Sequence, residues 1–317
     1  MKKILTLTLN PSVDVSTNFS GLVAEQKLRC ENPRYDAGGG GINVSKAIKK
    51  LGGNTEAIFL AGGLIGQKFT ELVKEFGIIF DKIEILGETR QNFTSVDVST
   101  NAQYRFTFTG PEITENEATK FLEKIEKSNA DFIVASGSLP IGIPTDFYAK
   151  VAKIANKKGA KFILDTSNDA LKSACDEGIF LMKPNISELA KLIGVKDLAI
   201  DEVDDAAKQT IAKGSCEVIV VSLGPQGAIY ATKDACEHIP APIVPKKTTV
   251  GAGDSMVGGM AFAFSQGMNV REAVKLGIAC GSAATLNEGT QLFKIEDVHK
   301  LQRWLDMFAD KFSIKDL

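Results

Sequence analysis

Short apolar runs alternate with amphipathic segments along most of the chain, a rhythm that predicts strand and helix in turn. Residues 4–9, 56–60, 132–136, 162–165, 180–183 and 218–223 have the length and apolar density of buried strands. Between them Val44, Ala47, Ile48 and Leu51 follow the i, i+3, i+4, i+7 spacing of one helix face and stop at Gly52-Gly53. Phe69, Leu72, Val73 and Phe76 repeat the pattern and stop at Gly77. Strand and helix alternating in this way predict an α/β fold, with a mostly parallel sheet flanked by helices on both faces.

One interval breaks the rhythm. Residues 89–109 are strand-like without a helix: Tyr104, Phe106 and Phe108 fall on one face, Arg105 and Thr107 on the other. Thr100-Asn101-Ala102 supplies a turn, so 93–99 and 103–109 read as a hairpin. Residues 15–33 are also largely non-helical. The two stretches together predict a small sheet projecting from the main domain. A hairpin alone is marginal, so further strands or a partner subunit must cover its apolar face. Residues 112–129 read as a charged helix with a solvated face.

A chain of 317 residues accommodates one large α/β domain with or without a smaller element. Its net charge of −2 argues against a general binder of nucleic acid or anionic membrane, so an anionic ligand must be held by a local cluster of Lys and Arg. No run of 18 apolar residues suggests a membrane span. Met1 to Thr6 alternates apolar residues with Thr and stops at Asn10-Pro11, the pattern of a first strand rather than a signal peptide. The five cysteines are scattered, as expected of a reduced cytoplasmic protein, and His238 and His299 without a Cys-x-x-Cys make a zinc site improbable.

The most informative motif is Thr248-Thr249-Val250-Gly251-Ala252-Gly253-Asp254-Ser255-Met256, which opens a helix of small and apolar residues. Its glycines allow close approach of backbone N–H groups to an anion, and a helix N-terminus favours negative charge there. A carboxylate at Asp254 suits a general base acting on a hydroxyl that attacks a phosphoryl group. Taken alone, the motif also fits a turn with an N-capping Asp. Asp36-Ala37-Gly38-Gly39-Gly40-Gly41-Ile42-Asn43 precedes a helix in the same manner and suits a hydroxyl-rich ligand, or else a flexible connection capped by Asn43. Asp14, in Asn10-Pro11-Ser12-Val13-Asp14, follows the first strand, where ligands of open α/β sheets gather; the alternative is a turn cap. In Lys183-Pro184-Asn185-Ile186-Ser187-Glu188, Asn185 and Glu188 suit either a hydrated Mg2+ beside phosphates or a capping box. Ser222-Leu223-Gly224-Pro225-Gln226-Gly227 could wrap a nucleotide or form a hairpin turn before residues 228–231. No P-loop is present, and neither glycine cluster completes Gly-x-Gly-x-x-Gly, which weakens a dinucleotide-dependent dehydrogenase.

Taken in order, these motifs resemble the ribokinase-like (PfkB) family of sugar kinases over essentially the whole chain, its two signatures falling on 38–53 and 248–259. Within it the chain is most similar to the bacterial minor-isozyme 6-phosphofructokinases, through Lys27-Leu28-Arg29-Cys30, Gly38 to Asn43, Thr89-Arg90-Gln91-Asn92, Tyr104-Arg105-Phe106, 222–227 and 249–257. Relatives acting on tagatose 6-phosphate or fructose 1-phosphate usually carry Lys where this chain has Gly40.

The resemblance implies a Rossmann-like core of residues 1–14, 34–88 and 110–317. It also implies a β lid of 15–33 and 89–109, through which two subunits pair as a homodimer. The implied activity is the ATP- and Mg2+-dependent phosphorylation of fructose 6-phosphate in glycolysis, with tagatose-6-phosphate kinase or 1-phosphofructokinase as alternatives. A catalytically silent sugar- or nucleotide-binding regulator is the reading from another class; Asp254 and both phosphate-holding loops speak against it. By the same resemblance Asp254 is the base, Gly251, Ala252 and Gly253 form the anion hole, and Lys27 approaches the moving phosphate from the lid. Asp14, Gly38, Gly39 and Asn43 hold sugar hydroxyls. Arg90 and Ser138, with Arg29 or Arg105, hold the substrate's own phosphate. Lys183, Asn185, Ser222, Gly224, Gly227 and Ser282 contact the nucleotide, and Glu188 orders Mg2+ through water. Thr248, Val250, Ala284, Asn287 and Gly289 surround a monovalent cation, K+ by analogy.

Overall fold

The computed structural model describes residues 2–287 and 291–309. The chain opens with β1 (Ile4–Thr8), buried at every position, then leaves the core for β2 (Ser12–Phe19) and β3 (Arg34–Gly38). It returns through α1 (Gly40–Lys50), β4 (Thr55–Ala61), α2 (Gly63–Glu75) and β5 (Ile79–Glu84), and leaves again for β6 (Arg90–Asp97) and β7 (Ala102–Phe106). Regular alternation follows through α3 (Glu115–Lys127), β8 (Phe132–Ser136), α4 (Phe147–Lys158), β9 (Lys161–Asp165) and α5 (Asn168–Cys175). It continues through β10 (Ile179–Met182), α6 (Ile186–Ile193), α7 (Val203–Ala212) and β11 (Cys216–Ser222). A β12 (Ala228–Ala231) and β13 (Cys236–Ile239) meander precedes α8 (Ala252–Ser265), α9 (Val270–Thr285) and α10 (Ile295–Phe308).

The large sheet has the order β13-β12-β11-β10-β9-β8-β1-β4-β5, parallel from β5 to β11, with β12 and β13 added antiparallel. Both faces are covered, and the pleat divides the strand residues between them. Leu5, Leu7, Ile133 and Ala135 pack with Phe121, Phe147 and Val151, whereas Ile4, Phe132 and Val134 pack with Val44, Val257, Met260 and Ala279. The six expected strands all form. The sequence pattern did not mark β5 or β13 as strands, because both are mixed in polarity and lie at the sheet edges, where one side of the pleat faces water. The charged α3 carries an inner face as well, with Ala118, Phe121 and Ile125 buried.

Strand order reverses beside β1, which lies between β4 and β8. Ligands of open α/β sheets bind at such a switch point, beyond the carboxyl ends of the strands, and residues 9–14 and 136–138 emerge there. On the helix side, α8 is flanked by α1 and α9. A Cβ on Gly258 would fall 2.6 Å from Ala47 Cβ, and one on Gly259 would fall 3.0 Å from Cys280 Sγ. These two absent side chains set how closely α8 approaches its neighbours. That approach delivers Asp254, one turn before Gly258, to Asn43, one turn before Ala47.

The small sheet has the order β3-β2-β6-β7: β2 pairs antiparallel with β3 and parallel with β6, and β6–β7 is the expected hairpin, with Asn101 left-handed at φ 57° in its turn. It includes residues 12–14 and 34–38, which the division above left with the core. The cause is pairing between distant segments, with Ser12 opposite Gly38 and Asp14 opposite Asp36, which no local pattern displays. Val13, Val15 and Ala37 anchor its base against Phe59 and Phe69 of the core. Residues 20–33 contain no strand or helix.

Candidate active site

Gly251 caps the start of α8 with a left-handed φ of 72° that suits glycine, and Asp254 is the third residue of the helix. First-turn N–H groups have no partner inside a helix, so this turn presents donors and a positive dipole end. Asp254 is half-buried. Its Oδ1 accepts from Ser136 Oγ at 2.8 Å and its Oδ2 from Asn43 Nδ2 at 2.9 Å. Burial raises its pKa and nearby Asp165 adds to the rise. The bonds from Asn43 and Ser136 and the charge of Lys183 oppose it, and the result is about 6. Asp254 is therefore ionised at neutral pH yet able to accept a proton.

Lys183 lies beside this turn, 6% exposed, in a 3.1 Å ion pair with Asp165. Burial opposes its charge, but Asp165, with Glu188 and Asp254, raises its pKa, so the ammonium is retained. A Cβ on Gly253 would come within 3.6 Å of its Nζ. Ammonium, helix N-terminus and glycine backbone thus converge where a phosphoryl group could be held.

A polar cluster gathers around Asp14 and Arg90. Asp14 Oδ1 accepts from Ser12 Oγ at 2.7 Å and Asn92 Nδ2 at 3.0 Å. A side chain on Gly38 would collide with the Asp14 carboxylate, and one on Gly39, at φ 109°, would strike Thr8 and Pro11. Burial raises the Asp14 pKa, against the pull of Ser12, Asn92, Lys46 and Arg90. Arg90 donates to the carbonyls of Asn10 at 2.9 Å and Phe108 at 3.1 Å, leaving its buried Nε without a partner. Asn10 Nδ2 reaches Ser138 Oγ at 3.4 Å. Buried Asn43 Oδ1 and Asn10 Oδ1 are also unpaired. Unpaired buried donors and acceptors in such a polar cluster fit a hydroxyl- and phosphate-bearing ligand.

Behind the α8 turn is a pocket of about 370 Å³, to which Ser222, Gly224, Gly227 and Ser282 contribute with Ala252, Gly253 and Met256. Gly224 and Gly227 have φ of 61° and 95°, and a side chain at Gly227 would strike the Ile239 carbonyl. This loop is therefore both the turn between β11 and β12 and a pocket wall. Asn185 and Glu188 form the capping box of α6: Asn185 Oδ1 accepts from Glu188 N and Glu188 Oε2 from Asn185 N, each at 2.9 Å. Among the described residues the Glu188 Oε1 atom makes no hydrogen bond.

Thr248, Val250, Ala284 and Asn287 meet where the loop before α8 reaches the C-terminus of α9. Thr248 N donates to Thr285 O at 3.3 Å, Val250 N to Thr248 Oγ1 at 3.1 Å, and Asn287 N to Ala284 O at 3.4 Å. Gly289 lies outside the described residues. Among those residues no group of three His, Cys, Asp or Glu could hold a metal ion, so a cation here would rest on carbonyl and hydroxyl oxygens.

Three expected residues are not gathered. Lys27 and Arg29 are exposed in the irregular 20–33 segment and make no hydrogen bond or ion pair among the described residues. Arg105, exposed on β7, grips Gln103 Oε1 at 2.9 and 2.6 Å rather than any site residue. The same structure adds Ser136, Asp165 and Asn92, which the motif reading passed over. Ser136 and Asp165 each end an apolar strand run in a polar residue, at the sheet edge where ligands bind.

The model of the pfkB family carbohydrate kinases matches residues 7–297. The ATP-dependent 6-phosphofructokinase isozyme 2 of Escherichia coli strain K12 is 39% identical over 307 residues, 96% of this chain and 99% of that protein. The crystal structure of Escherichia coli phosphofructokinase-2 in complex with potassium matches with a TM-score of 0.93 at 39% identity, covering 96% of this chain and 100% of that one. The same enzyme in complex with fructose-6-phosphate matches with a TM-score of 0.91 at 37% identity, over the same shares. The chain belongs to the pfkB family of carbohydrate kinases.

Proposed function

We propose that this kinase transfers the γ-phosphoryl group of ATP to the C1 hydroxyl of fructose 6-phosphate, releasing ADP and fructose 1,6-bisphosphate. One arrangement carries the reading: the half-buried Asp254, held by Asn43 and Ser136, lies in the first turn of a glycine-opened helix whose Ala252 and Gly253 line a pocket of about 370 Å³, and the polar residues around Asp14 leave the Arg90 Nε donor unpaired. The acceptor hydroxyl gives its proton to Asp254 as its oxygen attacks phosphorus. The N–H groups of Gly251, Ala252 and Gly253, with Lys183, take up the charge spread over the transferring group. Asp14, Gly38, Gly39 and Asn43 hold sugar hydroxyls, while Arg90 and Ser138 hold the 6-phosphate. Ser222, Gly224, Gly227 and Ser282 hold the nucleotide, with Asn185 and Lys183 on its phosphate side.

Mg2+ fits at Glu188 through water, since one of its carboxylate oxygens is left open by the cap; the ion neutralises phosphate charge when bound. K+ fits the oxygen-rich junction of Thr248, Val250, Ala284 and Asn287, as the potassium complex of the relative supports. Lys27 is assigned to the transferring phosphate, with Arg29 and Arg105 lending charge to the sugar phosphate, from a lid completed by a second subunit. The exposed Phe93, Phe106 and Phe108 on the small sheet support that homodimer. The free cysteines fit a cytoplasmic setting.

A panel of ADP-release assays on fructose, ribose, fructose 1-phosphate, tagatose 6-phosphate and fructose 6-phosphate tests the acceptor. Fructose 6-phosphate is expected to give the highest kcat/KM. Tagatose 6-phosphate, which differs at C4 alone, should fall behind by about 10- to 100-fold through one or two lost sugar hydrogen bonds. Preference for tagatose 6-phosphate would change the substrate and keep the mechanism; preference for an unphosphorylated sugar would also remove the Arg90 clamp.

A further inference from the structure

Ser136 is the last residue of β8 and carries the sole hydroxyl in that strand; it is 4% exposed. The backbone beyond it is tied down from three directions. Gly137 N donates to Asp165 O at 3.0 Å, and Gly137 O accepts from Thr166 Oγ1 at 3.0 Å and Tyr148 Oη at 3.3 Å. From this fixed strand end the Ser136 hydroxyl bonds Oδ1 of Asp254, while Asn43 on α1 bonds Oδ2. A carboxylate held at both oxygens from two different elements cannot turn without breaking a bond, and each oxygen keeps lone-pair capacity for the acceptor hydroxyl. Gly40 belongs to the same construction. Its φ is not in the left-handed region, but a Cβ there would overlap Ser136 Oγ and the Ser136 carbonyl. A side chain at this glycine would therefore have to be accommodated by a shift of Gly40 or Ser136.

We propose that Ser136 is a positioning residue for the phosphoryl transfer: its hydroxyl locks the orientation of the Asp254 carboxylate and stabilises its charged form. The inference rests on Asp254 being the base. Throughout the step Ser136 keeps its own proton and only donates, while the acceptor's proton passes to Asp254. Four groups on four elements face that carboxylate: Asp165 ending β9, Lys183 following β10, Asn43 in α1 and Ser136 ending β8. Asn43 holds sugar in the same reading, and removing Asp165 or Lys183 would change a charge. Ser136 alone can be tested by deleting one oxygen without altering charge or sugar contacts.

The experiment compares full-length wild type, Ser136→Ala, Ser136→Cys and Asp254→Asn with fructose 6-phosphate and ATP across acid and neutral pH. Ser136→Ala is expected to lower kcat at neutral pH about tenfold, with both KM values within about threefold. Loss of a hydrogen bond to the charged form raises the pKa of the base, so the acidic limb of kcat/KM should move up by about one pH unit. Substrate phosphates ionise identically in both proteins and cancel in the difference. Ser136→Cys, with a weak S–H donor, should fall between the two. An acidic limb that stays in place, or a KM that rises in proportion to the loss of kcat, would overturn the role of Ser136. If Asp254→Asn retains near-native turnover, the base assignment fails and this inference with it. If Asp254→Asn is inactive and the limb stays fixed in Ser136→Ala, Ser136 alone is misassigned.

Discussion

The nine-stranded sheet and the four-stranded sheet dispose of their apolar surface in different ways. Strands such as Ile4–Thr8 and Phe132–Ser136 are buried at every residue, because helices of the same chain cover both faces. In the small sheet only the base, around Val13, Val15 and Ala37, is packed on the core, while Tyr35, Phe93 and Phe106 are 43%, 39% and 57% exposed. Phe93 and Phe108 pair edge to face with centroids 5.9 Å apart yet remain open to water. The core closes on itself and can hold Asp254, Asn43 and Ser136 in one geometry. The lid has an unfinished surface, and the charges it carries at Lys27, Arg29 and Arg105 contact none of the site residues within this chain. In the function proposed above, chemistry falls on the element packed on both faces, and capture of the substrate is shared with the open one.

The largest expected effect tests the rigid side. Asp254→Asn should lower kcat by about 10²–10⁴-fold while leaving the dissociation constants of sugar phosphate and nucleotide within a few-fold. Coupled ADP-release kinetics with equilibrium binding would check it, and near-native turnover would reduce Asp254 to a helix-terminus residue.

At the seam between the two regions stands Arg90, the first residue of β6, which bonds the Asn10 and Phe108 carbonyls. Arg90→Ala should raise the KM for fructose 6-phosphate by about 10- to 100-fold through loss of charge-assisted donors, with nucleotide affinity little changed. Equal loss of both affinities would mean that its two backbone bonds, rather than its unpaired Nε, are what the enzyme needs.

The smallest effect on the fold itself is expected from the lid. Phe106→Asp puts a charge on the open aromatic face and, for the homodimer proposed above, should shift sedimentation from dimer to monomer, with Tm changing by no more than about 2 °C because the side chain is mostly exposed. An unchanged sedimentation coefficient would show that this face is not the contact and would dissolve the contrast drawn between the two sheets.

How legible the site was in the sequence depended on the company each residue keeps. Asp254, Asn43 and Asp14 stand beside glycine or proline punctuation, and their surroundings advertise close approach to a ligand. Ser136 and Asp165 end ordinary apolar strands, and nothing nearby sets them apart. Asn185 and Glu188 satisfied two local readings at once, and the capping box is formed in full. Lys27, Arg29 and Arg105 were assigned to phosphates by the family resemblance. Charge along a strand does not say which neighbour it meets, and in the folded chain none of the three reaches Asp254, Arg90 or Ser138.

The sequence by itself determined the alternation of buried strands and amphipathic helices, the hairpin, and the glycine-opened turns. Each depends on residues within a few positions of one another, through side-chain periodicity or backbone freedom. Tertiary structure alone decided the order of the strands, the parallel pairing of β2 with β6, and the meeting at Asp254. There Asn43 and Ser136 approach from 211 and 118 residues away, and Asn92 reaches Asp14 across 78. Such contacts arise from how closely packed elements can approach, as where Gly258 lets α8 settle against α1 and Gly40 leaves room for Ser136. That approach is a property of two surfaces together, and neither segment carries it alone.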